Sequence, residues 1–251
     1  MKGFYLILLA FLLPVCSWAQ ASQGVIVYDR KVNMHAKLGP EQEEMKQFLP
    51  EFQTSKQQLF FSAAESVYKA LAEENEDLDI EHSPQEGVQM KIKMKAPENI
   101  VYRNFSENKT VEVRDFMGKK YLIEEESAPR AWKIAPEQKD ILGYLCQKAM
   151  FEDAEKEQTI VAWFAPALAI PSGPEGFAHL PGLILEVSIN DGEEVYELSR
   201  LELKELPAGT IAAPTEGKSI SREKFEQIQE ERLREMGADG KKGGVRMIIR
   251  N

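Results

Sequence analysis

Cysteine and histidine are nearly missing from this chain, and their scarcity excludes whole classes of chemistry. Of the 2 cysteines, Cys16 lies inside an apolar N-terminal leader, so Cys146 stands alone in the body of the protein. A lone thiol closes no intrachain disulfide, and a hydrophobic core must hold the fold. The 3 histidines, His35, His82 and His179, lie far apart and fit no catalytic or zinc-binding spacing. Gly143 and Gly173 belong to no phosphate-cradling loop. Positive charge is also short: 31 Lys and Arg against 41 Asp and Glu give a net charge of -10. That field repels a nucleic-acid backbone, and the only concentrated basic patch is the tail from Lys241 to Arg250. No nucleic-acid partner is expected. Past the leader, no apolar run approaches the roughly 20 residues that a membrane helix needs, so the mature chain is expected to lack a transmembrane span.

What is present begins with a secretory pattern over residues 1–21. Lys2 precedes an apolar run from Phe4 to Val15, and small residues follow as Ser17-Trp18-Ala19 or Ala19-Gln20-Ala21. The mature protein is expected to begin near Gln20 or Ser22. Pro14 and Val15 occupy positions before Cys16 where a lipidation signal wants small residues, which argues against a lipid anchor. The expected location is the periplasm or the periplasmic face of the outer membrane. The remainder divides into an antiparallel β domain over 22–217 and a C-terminal helix with a basic tail over 218–251, packed on or beside that domain.

The β domain is read from period-two runs and turn residues. Gly24 to Val32 opens it, continuing to Met34, and Gly39-Pro40 stops it; Glu41 to Leu49 has helical spacing. Strands are expected at 57–61 and 66–70, the second with a short helix as its alternative. Glu73 to Gln85 carries six carboxylates, little to bury and no calcium-loop glycine, and reads as a solvated loop. From Ile100 the strands come quickly: 100–105, 110–116, 119–125, Trp132 to Ile134, 148–151, 159–164, 183–189 and 194–206. Short connections, Asn190-Asp191-Gly192 among them, favour antiparallel hairpins. The expected fold is mainly β with peripheral α: a curved antiparallel meander or open barrel, with Trp132 and Trp163 as buried anchors, closed by a C-terminal helix over Ser221 to Met236 that ends at Gly237.

Ala178-His179-Leu180-Pro181-Gly182-Leu183-Ile184 resembles the signature of the GLPGLI family of exported Bacteroidetes proteins, with His179 where the motif has its first glycine. The likeness extends upstream through Ala131-Trp132-Lys133-Ile134, Lys139 to Ala149, Val161 to Pro166 and Ser172-Gly173-Pro174, in order and spacing over 131–190. That family is defined by sequence and has no established biochemical role, so the resemblance implies an envelope protein and assigns no activity.

The candidate structural or ligand-contact residues are Trp132, Tyr144, Cys146, Lys148, Trp163, His179, Pro181 and Gly182. Pro181 restricts Leu180 to extended geometry and Gly182 permits a turn or close backbone contact, which serves either strand initiation or ligand contact. Tyr144, Cys146 and Lys148 share period-two spacing. Cys146 is therefore either a small buried hydrophobe or a thiol activated by Lys148. His179 is read as a satisfied surface residue, with pairing to Cys146 on a metal as the alternative. Neither cofactor nor catalytic residue is assigned. The expected function is a non-enzymatic periplasmic or envelope-associated binding or accessory protein, its partner an envelope protein, a peptide or a lipid-like ligand in an apolar interior. Its alternatives are an interaction subunit of an outer-membrane assembly and, less favoured, a metal-binding protein or hydrolase.

Overall fold

Period-two burial and tight turns build almost all of this protein, seen here as a computed structural model that describes residues 23–47, 49–71, 78–82, 90–94, 98–154 and 156–239. The strands are β1 (Gly24–Asn33), β2 (Phe52–Phe61), β3 (Glu65–Ala70), β4 (Leu78–His82), β5 (Met90–Met94), β6 (Ile100–Asn104) and β7 (Lys109–Phe116). They continue as β8 (Lys119–Glu126), β9 (Lys133–Ile141), β10 (Tyr144–Asp153), β11 (Gln158–Ala165), β12 (Leu183–Ile189), β13 (Glu194–Leu203) and β14 (Lys218–Ser219), before helix α1 (Arg222–Asp239). Pro40–Gln47 is a 3-10 helix where helical spacing was expected.

Twelve strands form one sheet in the order β14-β8-β7-β6-β3-β2-β1-β13-β12-β11-β10-β9, and β4 and β5 pair separately. Every pairing is antiparallel except the two-residue parallel contact of β14 with β8. The expected meander over 100–206 is thus split: β6 to β8 and β9 to β13 are separate meanders, with β3, β2 and β1 between them. Two-residue turns at Met117-Gly118 and Leu142-Gly143 close hairpins with φ positive at both positions, the geometry that matches the strand twist. The second lies between the strands expected at Trp132 to Ile134 and 148–151, where β9 and β10 are long paired strands. Leu78 to His82, expected within a solvated loop, is a strand. Its register sets Asp79 opposite Lys93 and Glu81 opposite Lys91.

Chain connectivity forces this sheet to curl. Flat, the ten spacings from β8 to β9 would separate those strands by about 48 Å. Seven residue steps from Glu126 to Lys133 reach at most about 25 Å. The sheet therefore wraps into an open barrel, still unclosed because β9 and β14 each pair on one side only.

The wrapped interior holds two materials. Ile26, Tyr28, Leu59, Phe61, Phe164, Leu185 and Val187 belong to a continuous apolar core. The 166–182 connection between β11 and β12 enters the interior as a plug, contributing Ile170, Phe177 and Leu180 to that core and bonding Ser172 to Ser66 at 2.9 Å. Helix α1 covers the other side, with Phe225 against Phe116, Tyr121 and Ile123. Ser221 caps it, accepting from the Lys224 amide at 3.3 Å; the helix runs through Gly237 to Asp239 rather than ending at the glycine. Outside, Val67, Tyr102 and Val111 form a second apolar layer, on which Ile211 from the 204–217 connection packs.

Candidate functional site

Charged side chains in the site come from strand faces that point inward. In β7, Thr110, Glu112 and Arg114 lie on one face and Val111 and Val113 on the other. The apolar face is taken up outside by the layer around Ile211, so the polar face looks into the curl. Register then aligns the neighbours: Arg103 of β6 lies between Ser66 of β3 and Thr110, with Tyr68 one diagonal step away. Arg30 of β1 stands opposite Tyr196 of β13. Arg130 from the β8–β9 link, Glu175 from the plug and Arg222 from α1 complete a cavity of about 580 Å³.

Most of these charges are paired. Arg114 bonds Glu112 at 2.7 Å and also Glu175, while Arg222 reaches Glu112 at 2.9 Å and Glu125 at 2.8 Å. Burial pushes the Glu112 carboxyl upward, but Arg114 and Arg222 outweigh it and hold it at about 2. On the facing wall Arg30 holds Glu194 at 2.7 Å, and the Tyr196 hydroxyl donates to the same carboxylate at 2.7 Å. Burial works against the charged form of Glu194 too, and Arg30 and Lys37 still keep its pKa low.

Two buried groups in this cavity have no partner. The Tyr68 hydroxyl and the Arg103 Nε make no hydrogen bond among the described residues, although their side chains are 2% and 8% exposed. The hydroxyls nearest Arg103 in register are engaged elsewhere, Ser66 with Ser172 and Thr110 with Ser127. Burial, reinforced by the like charge of Arg130, lowers Arg103 to about 10.

The residues singled out from sequence are distributed among three places. Trp132 precedes β9 instead of lying in a strand and is half-buried; its Nε1 donates to Ala178 O at 2.8 Å, tying the β8–β9 link to the plug. Trp163 is half-buried on the outer face of β11, under Lys139 at 4.5 Å, because Ala162 and Phe164 take the inward positions. Both pack against the apolar core, from its margin rather than from within it. Cys146 is fully buried; its thiol donates to Tyr144 O at 3.3 Å. Burial pushes that thiol up to about 11 and Lys139 opposes only in part. Lys148 does not activate it: a register shift between Gln147 and Ala149 breaks the alternation, and Lys148 pairs with Glu137 at 3.3 Å.

His179 is a correction as well. It is half-buried, has φ of 68° and leaves a buried Nδ1 unpartnered, so it is not a satisfied surface residue. Burial, then Arg103 and Arg130, depress it to about 4. Cys146 feels Lys139, Asp140 and Glu186 instead, so the two side chains occupy different environments. Pro181 is exposed and Gly182 buried. A β-carbon on Gly182 would come within 2.4 Å of Ala165 O, so close backbone approach is what requires glycine here. Sequence reasoning missed Arg30, Tyr68, Arg103, Glu112, Arg114, Arg130, Glu175, Glu194, Tyr196 and Arg222; the usable signal was the regular Thr-Val-Glu-Val-Arg alternation of β7.

A family model described as a protein of unknown function, Porph_ging, matches residues 150–186, from β10 through the plug into β12; this is the family of the GLPGLI signature. No curated protein matches the chain. Among solved structures, two crystal forms of PNGF-II are similar. The P21 form has a TM-score of 0.51 at 14% identity, covering 82% of this chain and 33% of that one. The C2 form has a TM-score of 0.52 at 13% identity, covering 82% and 32%. The chain thus spans about a third of the length of PNGF-II, and at that identity the likeness is one of fold.

Proposed function

We propose that this chain is a non-enzymatic binding module of the cell envelope that holds a polar, charged ligand inside its curled sheet. The observation that carries this reading is the cavity of about 580 Å³ walled by ion-paired arginines and glutamates. A lipid tail would strip water from those groups without replacing its hydrogen bonds, which disfavours the lipid-like ligand and leaves the peptide. The same wall argues against acid–base catalysis. Glu112 and Glu194 are held ionised by arginines, His179 is depressed to about 4 and the Cys146 thiol is raised to about 11, so none of them is poised near neutrality.

The exported location rests on the leader over 1–21, which lies outside the described residues, as does the tail from Lys241. Among the described residues no helix is long and apolar enough to cross a membrane. Fractionation of the producing cells with N-terminal sequencing tests export, the expected start being near Gln20 or Ser22. Calorimetry with short acidic peptides and with palmitate tests the ligand class. Heat from the peptides and none from palmitate is expected; saturable palmitate binding alone would overturn the polar reading.

A second reading, an interaction subunit of an outer-membrane assembly, is favoured by one feature. The β9–β10 hairpin forms a sheet edge and exposes Ile134, Leu142 and Leu145, the last two 64% and 59% accessible. Crosslinking in intact cells, with Leu142→Ser and Leu145→Ser as the comparison, tests it.

A further inference from the structure

We infer that Arg103 and Arg130 form an oxyanion site in the cavity wall, built to receive a carboxylate or phosphate group of the ligand. The inference rests on the binding-module reading and adds the chemistry of the group recognised.

An ion taken out of water must recover its lost hydration from a partner, or the fold carries the cost. Arg103 recovers little of it from the described residues. It makes no ion pair among the described residues, its Nε lacks an acceptor, and its side chain is 8% exposed while lining the cavity. The two carboxylates that act on Arg103 are engaged elsewhere: Glu112 serves Arg114 and Arg222, and Glu125 serves Arg222.

Arg130 repeats the pattern. One of its N–H groups goes to Gly176 O at 2.7 Å and its guanidinium lies 5.0 Å from the Phe177 ring centre, but no carboxylate pairs with it among the described residues. Arg130 is the leading charge acting on Arg103, and both line the same cavity. Two guanidinium forks lining one cavity, neither of them in an ion pair among the described residues, match the oxygens of a carboxylate or phosphate, which would complete their hydrogen bonds. The unpartnered Tyr68 hydroxyl, on the same face of the adjacent strand, supplies a further polar contact for the body of the ligand. The plug loop fixes the geometry, since Gly176 and Phe177 are among its residues.

The test uses the full mature chain and simple probes: sodium phosphate and sodium acetate, against sodium chloride at matched ionic strength. Denaturation midpoints and calorimetry are read for wild type, Arg103→Gln, Arg130→Gln and Arg103→Lys. Wild type should show a saturable upward shift with phosphate or acetate and none with chloride; whichever anion gives it names the group. Arg103→Gln should weaken that binding by about 10- to 100-fold, the worth of a charged hydrogen-bonded contact, while folding at least as well without the anion because an unpaired buried charge is gone. Arg130→Gln provides a second route should the first variant misfold, and Arg103→Lys should recover only part of the affinity, because it lacks the fork. An equal shift in wild type and both Gln variants, or a shift that never saturates, overturns the site. Acidic peptides that bind wild type and Arg103→Gln alike would sink the oxyanion site and leave the binding module standing. Saturable phosphate or acetate binding with no peptide binding would do the reverse.

Discussion

The two halves of the curled interior face one another across the plug and are made of opposite materials. Beneath β10 to β12 the inward side chains are apolar and closely packed, with Phe164, Leu183, Leu185 and Val187 fully buried. Along β6 to β8 and β3 the inward face carries Arg103, Thr110, Glu112, Arg114 and Tyr68, and it encloses a cavity. Both halves have apolar backing or filling, so the charged one is not simply the outside of the molecule. Replacing buried ion pairs with well-packed hydrophobic residues is often neutral or stabilising, which makes the charged half a poor investment for stability alone. On the proposed reading the dry half holds the fold and the charged half serves recognition.

The sharpest way to break that comparison is to damage each half in turn. Phe164→Ala leaves a hole in the dry half and should cost about 3–5 kcal/mol in a urea melt at neutral pH. Arg114→Met should cost less, about 1.5–3 kcal/mol, because Glu112 and Glu175 lose a charged partner while Glu112 keeps Arg222. Only the second variant should change the acid response. Glu112 is near 4.3 in the unfolded chain and about 2 in the fold, so its contribution is full above about 4.3 and is lost as the pH falls toward 2. Arg114→Met should flatten that loss. Equal acid profiles for wild type and Arg114→Met would remove the claim that paired charge governs this half.

The plug is the joint between the halves, and Gly182 fixes its exit into β12. Gly182→Val puts a branched side chain where even a β-carbon would sit 2.4 Å from Ala165 O. The expected loss is about 1–3 kcal/mol, from overpacking against backbone that cannot step aside. A melt unchanged from wild type would show that the plug yields easily and that the two halves are not held apart by it.

Much of this architecture was legible because it is local. Alternation and tight turns gave β6 to β8 and β10 to β13 to within a few residues, and Leu183 to Ile189 matches β12 at both ends. Sheet order was not legible, because insertion of β1 to β3 between the two meanders is decided by pairings far apart in sequence, such as Gly24 with Leu203. The charged site was hidden for a related reason. In Thr110 to Arg114 the alternation ordinarily means polar side out; here Val111 is covered on the outside through Ile211 and its neighbours, which turns the polar face inward. No residue within β7 carries that information. The tryptophans do pack against the core, but the register of β11 gave the fully buried positions to Ala162 and Phe164.

Cys146 sharpens the comparison from the dry side. Its thiol is fully buried and donates to Tyr144 O, so Cys146→Ser keeps a donor in place but exchanges a sulfur suited to an apolar site for a hydroxyl. The expected loss is about 1–2 kcal/mol. Burial holds the thiol at about 11, and alkylation of native protein at pH 7.5 should therefore be slow and become fast only on unfolding. Rapid modification of the folded chain would place Cys146 on the reactive side and undo the description of that half as inert.

The smallest expected effect, and the most discriminating, is at His179, where the plug meets the arginines. With φ of 68° the residue occupies the left-handed region, costly for a branched or bulky side chain and free for glycine, which agrees with the glycine at this place in the GLPGLI motif. His179→Gly relieves that strain and adds freedom to the unfolded chain, and the two nearly cancel at pH 7.5, within about 0.5 kcal/mol. At lower pH they separate. Burial and the charges of Arg103 and Arg130 hold the folded imidazole at about 4, against about 6.5 when unfolded. Between those values the unfolded chain takes up a proton that the fold refuses, so wild-type stability declines as pH falls from 6.5 toward 4. The glycine variant lacks this term. Melts at pH 7.5 and 4.5 should show it gaining on wild type by about 1 kcal/mol at the lower pH, a figure reduced from the full shift because the ring remains partly open to solvent. Parallel pH profiles for the two proteins would mean that His179 does not feel Arg103 and Arg130, and the electropositive corner of the cavity would lose its independent witness.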